Sequence, residues 1–230
     1  MTRSSLGKIG LGIGSIAALA ALAWNYLVLP TSTQWTDEEQ RLIASLSLSQ
    51  LPRLPADPSN AQADNPDAAE LGHVLYFDTR LSSAGAVACA SCHKPERMFT
   101  DGLKLAVGAG IGNRHTPSLV GLSYSPWFYW DGRKDSQWAQ ALAPLEAKHE
   151  HAMTRSDLAR LILSDADYSA RYRSAFGALP SVDIPAGASP LGDDTERAKW
   201  EGLPETEQQA INEIFTNIGK ALAAYQRKIQ

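Results

Sequence analysis

The chain holds two cysteines, and both fall within one five-residue segment, Cys89-Ala90-Ser91-Cys92-His93. Two thiols at this spacing can form a disulfide, act as a redox pair or carry a covalently attached haem. A zinc site would need four ligands, usually from two such segments, and the sequence has only one. A thioredoxin-like pair would lie between a strand and a helix, and no such pattern surrounds this segment.

The histidine directly after Cys92 favours haem attachment over the other two uses of the thiols. In a c-type haem, two thiols add across the vinyl groups and the adjacent histidine binds the iron from one face. We therefore predict one covalent haem c, bound through Cys89 and Cys92, with His93 as an axial ligand of the iron. The alternative is a surface disulfide beside a histidine without a metal.

The chemistry of such a haem depends on the face of the iron opposite His93. A second strong ligand gives an electron carrier, whereas an open position allows reaction with peroxide or oxygen. The candidate side chains for that face are Met98, His115, His149, Glu150, His151 and Met153. His73 lies beside an apolar helical stripe, and we expect it to have a surface role.

The elements that must position these residues are predicted to be mainly α-helical. Capping patterns begin helices at Thr36, Asn65 and Thr154, and residues 135–145 and 168–176 also have helical spacing. The clearest stripe is near the C-terminus and consists of Ile211, Ile214, Phe215, Ile218, Leu222, Tyr225 and Ile229. No repeat and no convincing strand is found.

Three segments are predicted to be irregular: residues 51–65, 99–130 and 179–195. The middle one has little periodicity and many glycines, and long ordered loops usually have a functional reason. A large planar cofactor supplies one, because loop residues can pack around it. The glycines of residues 108–112 lack the Lys-Ser/Thr of a phosphate loop. The expected fold is a cytochrome c-like haem domain with long haem-wrapping loops.

The first thirty residues have a different character. Arg3 and Lys8 precede residues 9–36, which carry no charge, and the apolar part is about as long as the ~20 residues that cross a bilayer. Positive charge before the run predicts a cytoplasmic N-terminus and an exported remainder. We expect an uncleaved signal anchor or a cleaved signal peptide.

Several motifs resemble the N-terminal half of bacterial di-haem cytochrome c peroxidases, and more closely their MauG branch. They follow one another in the family order at residues 71–78 (LGHVLYFD), 89–93 (CASCH), 114–119 (RHTPSL), 130–133 (WDGR), 140–146 (QALAPLE), 150–151 (EH) and 217–225 (NIGKALAAY). The set is more specific than the haem motif alone.

The resemblance implies a role for three residues. His93 would be the proximal ligand of the peroxide-reacting haem, Glu150 its distal acid–base group, and Trp130 an electron relay between two haems. Cleavage of a peroxide needs a proton moved from the inner to the outer oxygen, which a nearby carboxylate can do. Without the resemblance, Trp130 could be core packing and Glu150 part of a solvated turn.

Three further residues are candidates for the haem pocket. His115 lies 22 residues after the haem motif, and we interpret it as a pocket residue or propionate partner, with iron ligation as the alternative. Arg114 and Arg133 could neutralise haem propionates through charge-assisted hydrogen bonds, or simply lie at the surface.

The sequence departs from the family in two respects. Relatives carry a second domain with its own Cys-x-x-Cys-His, so we expect either a longer protein or a partner haem on another polypeptide. Relatives commonly have an asparagine for calcium where this chain has Gly121, and glycine offers no side-chain oxygen. Calcium is therefore in doubt as a cofactor.

The predicted organisation is a signal segment over residues 1–30, a tether with a short helix over 31–65, and a peroxidase-like haem c domain over 66–230. The expected function is reaction with hydrogen peroxide, using electrons from a small cytochrome c or copper protein, or oxidation of a protein substrate. A membrane-anchored mono-haem electron carrier is the alternative. A net charge of −4 without a basic run does not favour nucleic-acid binding. The expected location is the periplasm, anchored at the inner membrane.

Overall fold

The protein, a computed structural model, is described over residues 35–230. Residues 35–53 belong to one compact unit and residues 54–230 form a second. The first contains α1 (Asp37–Ser45) and a 3-10 turn (Leu48–Gln50), with no buried side chain in either. The predicted capping box is present, since Thr36 Oγ1 accepts from the Glu39 amide at 3.2 Å. The signal segment predicted for residues 1–30 lies outside the described residues.

The second unit contains the remaining helices of the described chain. They are α2 (Pro66–Phe77), α3 (Cys89–Cys92), α4 (Gln137–Glu146), α5 (Arg155–Ser164), α6 (Ala166–Phe176), α7 (Asp194–Glu201) and α8 (Glu205–Gln226). Between residues 35 and 230 the only β-type pairings are isolated bridges, so the mainly α prediction is confirmed there. None of these helices is both long and apolar enough to cross a bilayer.

The core of the second unit is built around α8. Its predicted apolar stripe is buried, with Ile211, Ile214 and Ile218 at most 1% exposed, and each such side chain contributes about 1.5–3 kcal/mol. Helix α2 crosses α8 at Gly72, where an added Cβ would lie 2.0 Å from the Ala221 carbonyl oxygen. Only glycine permits this close approach. The crossing holds α2 beside the haem motif that follows it.

The structure differs from the prediction at two helices. The segment expected to be a loop up to residue 195 already enters α7 at Asp194, and the capping box of Asp193 and Glu196 begins that helix. Helix α7 has only eight residues and one buried side chain, Trp200, so no apolar period marks it. Helix α8 ends at Gln226, and Ile229, predicted on its stripe, is buried beyond the helix end.

Candidate functional site

The cysteine motif forms a single helical turn, α3, whose first amide donors are partly satisfied by Ser91. The Ser91 hydroxyl oxygen accepts from the Ala88 amide at 3.0 Å. Cys89 and Cys92 are both free and partly exposed, so the disulfide alternative is not formed. Burial raises the pKa of both thiols. The turn thus presents two unpaired thiols followed directly by an imidazole.

The His93 imidazole is held by backbone carbonyls from two separate loops. Its Nδ1 lies 3.1 Å from the carbonyl oxygens of both Phe99 and Pro117, to which it donates its proton. Phe99 has a left-handed backbone (φ 58°), which aims its carbonyl back at His93. Metal-bound histidines almost always have the second ring nitrogen anchored in this way. The arrangement leaves Nε2 as the nitrogen available to a metal.

Helix α2 supports the same histidine from the core side. The Tyr76 hydroxyl donates to the His93 carbonyl oxygen at 2.6 Å, and Tyr76 is fully buried. Burial lowers the pKa of the His93 imidazole, although hydrogen bonds to the two carbonyls oppose that shift. A neutral imidazole, which is the form that binds a metal, is therefore favoured at this position.

Glu150 lies on a turn that the glycine-rich loop holds from the other side. The amides of Ala109 and Gly110 donate to the carbonyl oxygens of Glu150 and His149 at 2.8 and 3.0 Å. An added Cβ on Gly108 would lie 2.9 Å from the Glu150 Cα, so only glycine fits there. The glycines predicted to be haem-loop backbone thus form the support of the Glu150 turn.

The same loop reaches the cysteine motif, which brings Glu150 and the thiols into one neighbourhood. The Val107 carbonyl oxygen lies 3.5 Å from Cys92 Sγ. Glu150 interacts electrostatically with Cys89 and Cys92, and Arg133 acts on Glu150 in turn. Partial burial raises the pKa of the Glu150 carboxylate, while His149 and Arg133 lower it. The side chain remains 42% exposed.

His151, directly after Glu150, is enclosed instead of exposed. It is 4% exposed, and its Nδ1 lies 3.0 Å from the Leu81 carbonyl oxygen. Burial lowers the pKa of this imidazole, the hydrogen bond to Leu81 raises it, and the charge of His93 lowers it further. The two imidazoles therefore lie within electrostatic reach of each other.

The end of α4, which leads into the Glu150 turn, is tied to the core by a buried ion pair. Arg155 donates to Glu146 Oε2 at 2.8 Å and to the Asn212 side chain on α8 at 2.6 Å. Ser189 adds a short hydrogen bond to the same carboxylate. The guanidinium also lies 4.6 Å from the Phe215 ring centre. These contacts fix the direction in which the chain leaves α4.

The other predicted site residues lie on the exposed part of the long loop. Trp130 is 72% exposed, with the Arg114 guanidinium 4.3 Å from its ring centre. Arg133 lies 3.5 Å from the Tyr129 ring centre and forms an ion pair with Asp131 at 2.7 Å. His115 is exposed. The structure therefore brings Arg133 towards Glu150 and pairs Arg114 with Trp130.

The donor set and the surface around it fit a covalent haem. Within residues 54–230, most of the exposed large apolar side chains lie in the segment 98–130: Met98, Leu103, Leu105, Val107, Ile111, Val120, Trp127 and Trp130. Exposed apolar side chains grouped in one segment favour a binding site. Free thiols on one turn, an oriented imidazole and this apolar surface are what a covalent porphyrin requires. Gly121, the residue in doubt for calcium, has a left-handed backbone and no side-chain donor.

Sequence reasoning missed the groups that orient the site. The Phe99 and Pro117 carbonyls have no sequence signal, because every residue carries a carbonyl. In the sequence, Tyr76 and His151 stand out only as members of the motifs at residues 71–78 and 150–151. The glycines near residue 108 were the one usable signal, since closely spaced glycines indicate close backbone approach.

The sequence profile of a family described as di-haem cytochrome c peroxidase matches residues 66–230, more than half of the chain. The MauG protein of Methylorubrum extorquens is 40% identical over 114 residues, covering 49% of this chain and 32% of that protein. The cytochrome c551 peroxidase of Nitrosomonas europaea is 33% identical over 116 residues, covering 50% and 35% respectively. MauG of Paracoccus denitrificans is 31% identical over 180 residues, covering 69% and 40%.

Solved structures give the same picture of the fold. A MauG-like protein associated with microbial copper homeostasis is similar with a TM-score of 0.53 and 27% identity, covering 78% of this chain and 45% of that one. The di-haem peroxidase BthA of Burkholderia thailandensis has a TM-score of 0.53 at 22% identity, covering 76% and 39%. The chain thus spans less than half the length of each of these relatives.

Proposed function

The chain belongs to the di-haem cytochrome c peroxidase family, and on that premise we propose that residues 66–230 form the haem c domain that reacts with hydrogen peroxide. Membership implies haem c as the cofactor. The observation that carries the proposal is the convergence of two free thiols, an imidazole with Nδ1 held by carbonyls, and the Glu150 carboxylate within one neighbourhood.

In the proposed site, Cys89 and Cys92 would hold one haem through thioethers, and His93 Nε2 would bind its iron. Haem bound in this way supplies the electrons that reduce peroxide. The remaining work falls to the polypeptide. The Phe99 and Pro117 carbonyls keep the His93 ring oriented, and their hydrogen bonds raise the basicity of the ligand.

Glu150 is proposed to move the proton of the bound peroxide. A carboxylate next to the peroxide can accept a proton from one oxygen and return it to the other, which lowers the cost of breaking the O–O bond. Its raised pKa allows both steps, because a carboxyl group that protonates more readily can also act as the acid. The glycine-rich loop around Gly108 keeps the Glu150 turn in place.

The other assignments follow from the same family. Trp130 relays electrons, and its 72% exposure suits a position beside a second haem domain. Arg114 and Arg133 are proposed to neutralise propionates, with His115 as a pocket residue. Haem would be present once in this chain, and a calcium ion would need ligands other than Gly121.

The proposed domain order is a signal anchor or signal peptide over residues 1–30, a tether over 31–65 and the haem domain over 66–230. The location proposed is the periplasm, which suits a covalent haem attached to exported thiols. Electrons would come from a small cytochrome c or copper protein. The alternative use of the oxidising power is modification of a partner protein, which the resemblance to the MauG branch implies.

The test is production in cells that assemble cytochromes c, followed by rapid-mixing spectroscopy with hydrogen peroxide. We expect one haem per chain, a ferric spectrum with a high-spin component, and a peroxide-dependent spectral change. A colourless protein, or a ligand-inert low-spin haem in both the ferric and ferrous states, would contradict the proposal. The second result would favour the electron carrier instead.

Glu150→Gln tests the role of the carboxylate in the same assay. We expect haem loading to be unchanged and the peroxide reaction to slow by roughly 10²- to 10⁴-fold, the usual contribution of a general acid–base group. Glu96→Gln is the control, because Glu96 is an exposed carboxylate close to the haem motif. Equal rates in the wild type and Glu150→Gln would remove Glu150 from the mechanism.

A further inference from the structure

Two separate loop segments, residues 98–101 and 116–118, supply the carbonyls that hold the His93 ring. The Phe99 carbonyl lies in the first segment and the Pro117 carbonyl in the second, each 3.1 Å from His93 Nδ1. The two segments are separated in the chain by fourteen residues, 102–115, so connectivity does not keep them together. Contacts between the segments must therefore decide how the ring is oriented.

The first contact, the inner link, is a hydrogen bond between two buried side chains. The Thr116 hydroxyl donates to Asp101 Oδ2 at 2.9 Å, and both residues are 4% exposed. The Leu103 amide donates to the other carboxylate oxygen at 3.0 Å. Burial would raise the pKa of Asp101, but these hydrogen bonds outweigh it. Asp101 therefore accepts as a carboxylate, which makes the link stronger than one between neutral groups.

The second contact, the outer link, joins the same two segments at the surface. The Ser118 hydroxyl donates to the Met98 carbonyl oxygen at 2.6 Å. Met98 and Phe99 both have a left-handed backbone, with φ of 54° and 58°. Residues other than glycine keep this conformation only when the surrounding contacts hold it. The outer link is such a contact, and it acts at the residue directly before Phe99.

Resting on the proposed function, we infer that the inner and outer links position the iron ligand His93 and thereby set the reduction potential of the haem. The inner link ends one residue before Pro117 and the outer link one residue after it, so together they fix the Pro117 carbonyl. Phe99 likewise lies between Met98 and Asp101. The residues of both links act through His93 and are positioning residues.

The effect on the haem follows from the hydrogen bonds to Nδ1. Such hydrogen bonds make an imidazole a more basic ligand and a better electron donor. A better donor stabilises ferric iron, and hydrogen bonding around an axial ligand is one of the ways in which a protein sets a reduction potential. When the carbonyls are free to move away from Nδ1, the potential should become more positive and the bond between iron and imidazole should weaken.

Thr116→Val tests the inner link, because it replaces the hydroxyl by a methyl group of similar size and keeps the charge of Asp101. We expect a more positive potential in a redox titration of the haem-loaded protein. Resonance Raman spectra of the ferrous protein should show a lower iron–imidazole stretching frequency. Thr116→Ser retains a hydroxyl and should bring both values back towards those of the wild type.

Ser118→Ala tests the outer link at an exposed position. We expect both values to shift in the same direction as in Thr116→Val, but by less, because the buried inner link remains. If Thr116→Val did not fold, Ser118→Ala alone would decide the inference.

Thr154→Val is the matched control for a merely structural loss. Thr154 is 8% exposed, and its hydroxyl donates to Asp157 Oδ2 at 2.6 Å within the first turn of α5. This variant also removes a hydroxyl that bonds a carboxylate. We expect a loss of thermal stability similar to that of Thr116→Val, with an unchanged potential and stretching frequency.

Two results would overturn the inference. Wild-type potential and frequency in both Thr116→Val and Ser118→Ala would show that the carbonyls are held without the links. An equal shift in Thr154→Val would show that the potential follows general stability and not the position of His93. If the haem-loaded wild type ignored peroxide while Thr116→Val still shifted the potential, the proposed function would fail and the inference would stand.

Discussion

At the scale of single residues, two imidazole rings near the site are oriented by backbone carbonyls. The His93 ring is oriented by the Phe99 and Pro117 carbonyls, and the His151 ring by that of Leu81. Carbonyl acceptors carry no net charge, so they orient a neutral imidazole without stabilising its protonated form as strongly as a carboxylate would. Both histidines are thereby kept neutral and fixed.

Tyr76→Phe tests the support of His93 from the core. Removal of the hydroxyl leaves the His93 carbonyl without this donor. We therefore expect the free energy of unfolding to fall by about 1 kcal/mol. The measurement is urea unfolding of the haem-loaded protein, followed by circular dichroism. Tyr225→Phe is the matched control, because Tyr225 contacts the same aromatic cluster through its ring. Equal losses in the two variants would show that the Tyr76 hydroxyl contributes nothing specific.

At the scale of elements, a loop and a helix end position Glu150 together. The glycine-rich loop contacts the turn through two amide hydrogen bonds, and the Glu146–Arg155 ion pair anchors the preceding helix α4. Both partners of the pair are largely buried, with side chains 7% and 16% exposed. Loss of one partner of such a pair typically costs about 3–5 kcal/mol, because the other charge is left uncompensated.

Gly108→Ala tests whether the loop sets the position of Glu150. The new methyl group would lie 2.9 Å from the backbone of Glu150, so either the loop or the turn must shift. We expect the free energy of unfolding to fall by about 1–3 kcal/mol and the peroxide reaction to become slower. Gly110→Ala is the matched control, since its Cβ would lie 3.4 Å from the nearest atom. If the two variants reacted equally fast with peroxide, the loop would not be positioning Glu150.

At the scale of the whole molecule, the described chain from residue 54 onward depends on contacts between segments far apart in sequence. Helix α8 is the centre against which α2, α4 and α5 pack. A second link lies on the far side of α2, where Arg80 bridges Asp78 and Asp165 and the Tyr168 hydroxyl donates to Asp78 at 2.5 Å. This charged cluster joins the end of α2 to the start of α6.

The cluster predicts a loss of stability in acid. Burial would raise the pKa of Asp78, but hydrogen bonds from Arg80 and Tyr168 outweigh it and hold the pKa below its ordinary value. Because the folded-state pKa is lower than the unfolded one, the stabilisation is present above about pH 4 and is lost as pH falls towards the folded-state value. The expected contribution is about 2 kcal/mol, typical of hydrogen bonds to a charged group.

The measurement is thermal unfolding from pH 7 down to pH 3 for the wild type and Asp78→Asn. The Asp78→Asn variant should be less stable than the wild type at pH 7. Its stability should fall less than that of the wild type as the pH is lowered. Asp183→Asn, which changes an exposed loop aspartate, should follow the wild type. Parallel curves for the wild type and Asp78→Asn would contradict this account.

The sequence by itself determined the helices and the chemistry of the attachment motif. Apolar spacing predicted α8 and its buried face, capping residues predicted the starts of α2 and α5, and Cys-x-x-Cys-His predicted adjacent thiols and imidazole. These features are local, since each follows from residues within a few turns of one another. Helix α7 was not predicted, because it buries only one residue and its sequence therefore shows no apolar periodicity.

The tertiary structure decided which distant residues meet at the site. Nothing in the sequence indicates that the Phe99 and Pro117 carbonyls converge on His93, or that Gly108 packs against Glu150, because these contacts depend on how a loop without periodicity is closed. It also distinguished His151 from its neighbour His149, since burial is a property of the surrounding fold and not of residue type.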